Sequence, residues 1–157
     1  MGSYKETFEF LKLINSINLP EFQTNLEVEY FKNNSNKYLL KASNIIYPIN
    51  LIFALFQFKA ISIKERISVL NFLTKFLLHN KNRYKGKNAE DILISENQTK
   101  NIIKSIWEPI TVSALNTNLY EASAETFLFT LKKIFLDGNR SSTIVLPKVS
   151  LNKLFIK

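Results

Sequence analysis

Two short groups of residues in the second half of the chain could carry chemistry. The first is Trp107 and Glu108, which directly precede Pro109. Proline lacks a backbone N–H, and its ring clashes with the preceding turn, so the pattern predicts a helix break near Trp107. Backbone groups freed at such a break, beside an indole ring and a carboxylate, would form the edge of a substrate cavity. In the alternative, Trp107 lies in the core, Glu108 caps the next helix and Pro109 occupies its first turn.

The second group is Asn116 and Thr117, at the predicted end of a helix over residues 108–115. Their amide and hydroxyl groups could bind a substrate or could simply cap the helix. His79 is the single histidine and lies at another predicted helix end, where a cation is mildly favoured. Because the chain has no cysteine and no second histidine, we expect no metal site and no thiol nucleophile.

Phenylalanines suited to the wall of an apolar cavity are numerous. Phe53 and Phe56 belong to a very apolar run over residues 49–58, and we predict that both contact an apolar substrate. Five more could share that role, namely Phe58, Phe72, Phe76, Phe127 and Phe129. For each of them the alternative is an ordinary core position at helical spacing.

The apolar segment over residues 49–63 is flanked by Lys41, Lys59 and Lys64. An apolar helix with basic flanks is typical of a segment that lies on a membrane surface. The segment is too short, and too often interrupted by polar residues, to span a bilayer. A buried helix is the alternative.

The net charge of +8 raises the question of an anionic partner. Of the 21 basic residues, 18 are lysines, and the chain also has 18 asparagines. This composition is typical of an AT-rich genome, and the basic residues are scattered along the chain. We therefore expect no nucleic-acid partner, while attraction to anionic lipid stays open.

Capping residues and hydrophobic periodicity predict the elements that position these groups. Ser3 with Glu6, and Ser62 with Glu65, form capping boxes that begin helices. The helix that begins after Ser62 is predicted to run to about residue 78 and to face inward with Ile63, Ile67, Leu70, Leu73, Phe76 and Leu77. A β-hairpin is predicted over residues 26–42, with further helices over 49–58, 88–94, 96–105 and 124–136, a short strand over 143–146 and a helical turn over 150–155. We predict one domain, 1–157, that is mainly α with a β-hairpin (α+β).

A dinucleotide-binding turn is missing from the sequence. Such a turn needs several glycines within a few residues, because the backbone must approach the pyrophosphate closely. The three glycines of this chain, Gly2, Gly86 and Gly138, are far apart. The chain therefore contains neither a G-x-G-x-x-G fingerprint nor a P-loop.

Five sequence elements nevertheless resemble one family in their order and spacing. They are Gly2-Ser3-Tyr4-Lys5-Glu6-Thr7, Ile106-Trp107-Glu108-Pro109-Ile110, Ala114-Leu115-Asn116-Thr117, Glu121-Ala122-Ser123-Ala124 and Leu146-Pro147-Lys148-Val149. Together they resemble the middle of the squalene-associated, FAD-dependent enzymes of the flavin amine oxidase superfamily, and in particular the hydroxysqualene dehydroxylases.

The resemblance implies the helical substrate domain of a flavin amine oxidase-like fold, without its Rossmann portion. It implies FAD as the cofactor of the family, an isoprenoid substrate, and reductive conversion of hydroxysqualene to squalene. We expect this chain to be a fragment of such an enzyme, inactive and without cofactor by itself. It would be either a truncated or split reading frame or one piece of a two-chain protein, in which a separate chain supplies the flavin domain. The alternative is a non-catalytic helical module that binds an isoprenoid or a membrane. The expected location is the cytoplasm, with peripheral contact at the inner membrane left open.

Overall fold

Helices and two small antiparallel sheets make up the computed structural model, which describes residues 2, 4–32, 36–78, 84–150 and 153–154. The protein is α+β, as predicted. The helices are α1 (Lys5–Leu13), α2 (Ile49–Gln57), α3 (Ile63–Leu78), α4 (Ala89–Ser95), α5 (Lys100–Ile102), α6 (Glu108–Leu115), α7 (Ala124–Leu136) and α8 (Asn139–Ser142). The strands are β1 (Pro20–Phe22), β2 (Glu27–Lys32), β3 (Asn36–Lys41) and β4 (Val145–Pro147).

The predicted hairpin is confirmed as the antiparallel pair β2–β3. Its register sets Glu27 opposite Lys41 and Tyr30 opposite Tyr38. The residues proposed for its turn, 33–35, lie outside the described residues. A second antiparallel pair joins β1 to β4, with Pro20 opposite Pro147. Its second strand overlaps the predicted strand over 143–146, whereas β1 was not predicted, because Pro20 was interpreted only as a helix terminator.

Side-chain caps fix three helix starts where the sequence places them. Ser62 and Glu65 form a reciprocal capping box: the Ser62 amide donates to the Glu65 carboxylate at 2.8 Å, and the Glu65 amide donates to the Ser62 hydroxyl at 3.3 Å. Asn88 caps α4 by accepting from the Asp91 amide, and Ser123 caps α7 by accepting from the Thr126 amide. Ser3, proposed to cap α1, lies outside the described residues, as does His79.

The helix predicted over residues 96–105 begins later than expected. Asn97 adopts a left-handed conformation with φ of 58°, which ends the preceding segment. Thr99 then caps α5 through its hydroxyl group, which accepts a hydrogen bond from the Ile102 amide. The local capping preference of threonine therefore sets this boundary.

The core lies where α3, α4, α6 and α7 meet. Its largest fully buried side chains include Phe58, Phe72, Trp107 and Phe127. The prediction that Ile63 and Ile67 face inward is wrong: their side chains are 65% and 47% exposed. Val69 and Phe72 of α3 are buried in the core, and Leu70, Leu73 and Phe76 pack against it as predicted. The apolar residues of α3 therefore extend around more of the helix than its buried face covers.

Candidate functional site

Helix α2 carries a row of large apolar side chains on its solvent side. Ile49, Ile52, Phe53 and Phe56 are each between 39% and 51% exposed, and their spacing of i, i+3, i+4 and i+7 places them on one face. We call these four residues the outer face of α2. Two of them, Phe53 and Phe56, are residues predicted to contact substrate.

The opposite face of α2 holds the helix in place. Leu51, Ala54 and Leu55 are buried, and Leu51 and Ala54 pack against residues of the β2–β3 hairpin region. Asn50 is fully buried, and its side-chain amide donates to the Asn139 side chain at 2.8 Å. Because a buried amide without a partner costs stability, this bond fixes which face of α2 points outward.

A surface groove of about 500 Å³ lies at the carboxyl end of this row. Phe56 and Leu39 give it an apolar wall, while three cationic residues share the lining, namely Lys41, Lys59 and Arg66. No acidic residue lines the groove. The arrangement can bind an apolar chain beside an anionic group. Sequence analysis did not identify Leu39 or Arg66, because residues distant along the chain form this groove.

Arg66 is fixed within the groove by backbone oxygens. Its guanidinium donates to the carbonyls of Phe56 at 2.5 Å and Ile61 at 3.2 Å. These carbonyls lie at and just beyond the end of α2, where the last carbonyls of a helix lack partners within it. Arg66 therefore caps α2 and also keeps a positive charge next to Phe56.

Trp107 lies in the core and not at the edge of a cavity. Its side chain is fully buried, and its ring packs edge-on against Phe72 and Phe127, with ring centroids 5.2 Å and 6.2 Å away. Its indole N–H donates to the side-chain oxygen of Gln98 at 3.0 Å. The one polar atom of this side chain is thus satisfied inside the protein, so the structure supports the core alternative for Trp107, and its contact with substrate stays a prediction.

The helix break predicted at Pro109 takes the form of a π-helical turn. Residues Ile103–Trp107 are π-helical and continue into α6 with right-handed helical dihedrals, so the helix is not interrupted. The Glu108 amide bonds the Ile103 carbonyl, five residues back. A wider turn accommodates the missing N–H of proline. The side chain of Glu108 is exposed to solvent on this helix.

Asn116 and Thr117 have structural roles at the end of α6. Asn116 adopts the left-handed conformation, with φ of 52°, and its amide bonds the Val112 carbonyl. The Thr117 hydroxyl donates to the carboxylate of Glu121 at 3.1 Å. The structure therefore supports the capping alternative for Asn116.

The six predicted substrate residues do not form one cavity. Phe53 and Phe56 share the outer face of α2, and Trp107 and Glu108 are successive residues whose side chains have opposite exposure. Of the additional phenylalanines, Phe58, Phe72 and Phe127 are core residues, Phe76 is half-buried and Phe129 is exposed on α7. The outer face of α2 and its groove form the candidate site.

The sequence elements used for the family resemblance contact one another. The hydroxyl of Tyr4 donates to the carbonyl of Ala114 at the end of α6. Tyr4 and Thr7 line a cleft of about 140 Å³ together with Pro147. Gly2 donates its amide to the Thr143 carbonyl at 2.9 Å, and a Cβ at Gly2 would lie only 1.8 Å from the Arg140 carbonyl oxygen.

Glu65, in the first turn of α3, accepts hydrogen bonds from Ser62, Thr99 and Asn101. Thr99 donates to it at 2.6 Å and Asn101 at 3.1 Å, in addition to the capping bond from Ser62. Burial opposes its charge, but the bonds from Thr99, Ser62 and Asn101 together outweigh burial and lower the pKa of the Glu65 carboxyl. Glu65 therefore stays ionised and ties α3 to α5.

The described residues do not fit FAD. In a Rossmann fold, the pyrophosphate of FAD is held by a strand–turn–helix unit of a parallel sheet, with a Gly-rich turn. All strand pairs in the described residues are antiparallel, and Gly86 and Gly138 lie in turns that do not connect a strand to a helix. A Rossmann-type FAD site is therefore not found among the described residues.

Neither a metal cluster nor a membrane-spanning helix is found in the described part of the chain. No group of three histidine, cysteine, aspartate or glutamate side chains there could hold a metal ion. Every helix described is too short or too polar to cross a bilayer.

Comparison of the chain with models of known protein families and with characterised proteins finds no match. The family resemblance therefore depends on the five sequence elements themselves.

Proposed function

We propose that these residues form the substrate-side helical domain of an FAD-dependent oxidoreductase acting on an isoprenoid, with hydroxysqualene to squalene as the implied reaction. The observation that supports this best is the contact between sequence elements that are far apart in the chain. Tyr4 bonds Ala114, and Tyr4, Thr7 and Pro147 line one cleft. Three of the five elements thus meet, as expected if they maintain a common fold.

The remaining two elements have roles in the same fold. Trp107 is fully buried in the core. Glu121 accepts a hydrogen bond from the hydroxyl of Thr117 at the turn that precedes α7. Motif residues with structural roles indicate a shared architecture more directly than a shared substrate. The substrate assignment depends on the outer face of α2, whose apolar side chains would contact a long hydrocarbon.

In this proposal the flavin is held by residues outside this chain, because the described residues do not fit it. A partner chain or further segment would supply the cofactor and all of the redox chemistry. The protein described here would bind and orient the isoprenoid.

The first experiment is to translate the DNA on both sides of this reading frame in all frames. A G-x-G-x-x-G strand–turn–helix upstream, with a second flavin-contacting segment downstream, is the expected result. Co-production of those segments with this chain should give a flavin-containing complex that converts hydroxysqualene to squalene, whereas either part alone should not. Absence of both segments would overturn the oxidoreductase proposal.

A second candidate is a non-catalytic helical module that binds an isoprenoid or a membrane. The outer face of α2 favours it, because water-exposed apolar rows mark interaction surfaces and need no cofactor. If no flavin-binding segment is encoded nearby, and the chain is a cooperatively folding monomer that binds lipid, this candidate replaces the first.

A further inference from the structure

The outer face of α2 belongs to a longer uncharged stretch. No charged residue occurs between Lys41 and Lys59 in the sequence. Ile45 and Ile46, directly before the helix, are 44% and 74% exposed and extend the apolar surface at its amino end. Six large apolar side chains from one continuous segment therefore face solvent, and such a surface is unfavourable in water unless something covers it.

Several cations lie at the carboxyl end of this surface. Lys41, Lys59 and Arg66 line the groove beside Phe56, and Lys64 is exposed in the first turn of α3. Lys41 also pairs with Glu27 at 2.7 Å, but both side chains stay about half exposed, so this pair is a weak one. Lys59 forms no ion pair within the described residues.

We propose that α2 lies flat on the surface of an anionic phospholipid bilayer, with its outer face in the boundary between headgroups and acyl chains. The groove at its carboxyl end would receive lipid phosphate, against Lys59 and Arg66. The helix has 9 residues, which is far too short to span a bilayer, so it contacts one leaflet only.

Charge and shape favour a membrane over a protein partner. Interfacial helices combine a wholly apolar face with lysine or arginine at its edge, and their affinity rises with the anionic lipid content. The outer face of α2 has this arrangement, and its buried face prevents it from rotating inward because Asn50 is tied to Asn139. The inference needs no flavin and stands apart from the oxidoreductase proposal, but it gives the second candidate a defined ligand.

The test uses the full chain with two kinds of vesicle, one of pure phosphatidylcholine and one that also contains phosphatidylglycerol. Co-flotation should be strong with the anionic vesicles and should weaken as salt increases. A Phe53→Trp variant should show a blue shift of its fluorescence on binding, whereas the buried Trp107 should contribute a constant background.

Two variants and one matched control decide the location of the contact. The double variant Phe53→Ser/Phe56→Ser should lower the vesicle partition coefficient by about tenfold or more, because two partly exposed phenylalanines no longer enter the bilayer. Lys59→Glu should lower it on anionic vesicles only. Phe129→Ser is the control, since Phe129 is 57% exposed on α7, and it should leave binding unchanged.

Three results would overturn the proposal: no co-flotation of the folded chain, equal losses in the Phe129 control and the α2 variant, or self-association of the chain through the α2 face in the absence of lipid. The last result, detected by ultracentrifugation and removed by the double variant, would assign the surface to a second copy. The hydroxysqualene assay is a separate readout: loss of vesicle binding with retained conversion of hydroxysqualene would overturn the membrane contact alone.

Discussion

The indole nitrogen of Trp107 and the side-chain oxygen of Gln98 are 3.0 Å apart and form a buried hydrogen bond. The amide nitrogen of Gln98 in turn donates to the hydroxyl and the carbonyl of Ser68 on α3. A residue predicted to border a substrate cavity therefore joins three segments of the core. Replacement of Trp107 is expected to lower the stability of the fold more directly than it affects the binding of a ligand.

Trp107→Phe should lower the free energy of unfolding by about 1–3 kcal/mol, because Gln98 loses the partner of a buried acceptor. Urea unfolding followed by circular dichroism measures this change. Gln98→Leu should also lower stability, because its amide no longer donates to Ser68, and the double variant Trp107→Phe/Gln98→Leu should lose less than the sum of the two single variants. Unchanged unfolding of Trp107→Phe would contradict the core assignment.

Asn116→Gly should leave stability unchanged or slightly higher, because glycine adopts the left-handed backbone at this position without strain. Asn116→Ala should lower stability by about 1 kcal/mol through that strain. Thermal unfolding of the parent and of both variants measures which of them is more stable. If Asn116→Gly kept full stability but abolished isoprenoid binding, the side chain would be a substrate contact after all.

The pKa of the Glu65 carboxyl is lowered in the folded protein, so its ionised form stabilises the fold. That stabilisation is present above the carboxyl's ordinary pKa and is lost as pH falls through the lowered pKa. Glu65→Gln should therefore be less stable than the parent near neutral pH and should show less further loss on acidification to about pH 3. Urea midpoints at several pH values measure the difference.

Asp137 is a second carboxylate with a lowered pKa, and its effect on stability at acid pH can be compared with that of Glu65. Its pKa is lowered by hydrogen bonds from Lys5 and then Lys133, both on the protein surface. Asp137→Asn should remove a separate part of the acid-side dependence, and the two effects should add because the residues share no partner. If stability fell equally on acidification in the parent and in both variants, these assignments would be contradicted.

Burial, followed by the charge of Asp137, raises the pKa of Tyr47 to about 12. A raised pKa means that the contribution of this group is fully present below the ordinary tyrosine pKa of 10.0 and is lost as pH rises towards about 12. Tyr47→Phe should therefore flatten the alkaline decline in stability. It should also cost about 0.5–1.5 kcal/mol at neutral pH, because the hydroxyl bonds the Ile134 carbonyl.

Tyrosinate absorbance as a function of pH gives an independent check on Tyr47. A transition near pH 12 should disappear in Tyr47→Phe. It should move to lower pH in Asp137→Asn, since a nearby negative charge no longer opposes ionisation. A transition that is unaffected by Asp137→Asn would show that the carboxylate does not act on this hydroxyl.

Gly2→Ala should displace the segment before α1, because the added Cβ would lie 1.8 Å from the Arg140 carbonyl oxygen. The expected cost is about 1–3 kcal/mol, as for other overpacked sites. Hydrogen exchange should become faster at the first turns of α1 and α8. Gly86→Ala is the control. Its added Cβ would meet nothing within 4 Å, and any backbone strain would stay local to residue 86, so hydrogen exchange at α1 and α8 should be unchanged.

Local signals predicted the hairpin and most helix boundaries correctly. The capping box of Ser62 and Glu65 and the caps at Asn88 and Ser123 depend on residues three positions apart, which a sequence displays directly. The orientation of α2 was not predictable in this way, because its apolar residues surround the helix and periodicity does not indicate which face is outside.

The features that were not predicted depend on contacts between residues that are far apart in the sequence. β1 has three residues and depends on β4 for its partner, so neither propensity nor alternation reveals it. The groove beside Phe56 joins Leu39 on β3 to Arg66 on α3, and neither residue carries a motif. The burial of Trp107 follows from the packing of Phe72 and Phe127 around it.

The pairing of β1 with β4 has a consequence for the order of folding. Pro20 meets Pro147, so this ladder closes a loop that contains the hairpin and nearly all of the helices. Closing so large a loop is entropically costly until the intervening elements have condensed, and three residue pairs return little energy. The pair therefore forms last and opens first, and partial unfolding begins by releasing the two outer segments of the chain together while the core around Trp107 remains assembled.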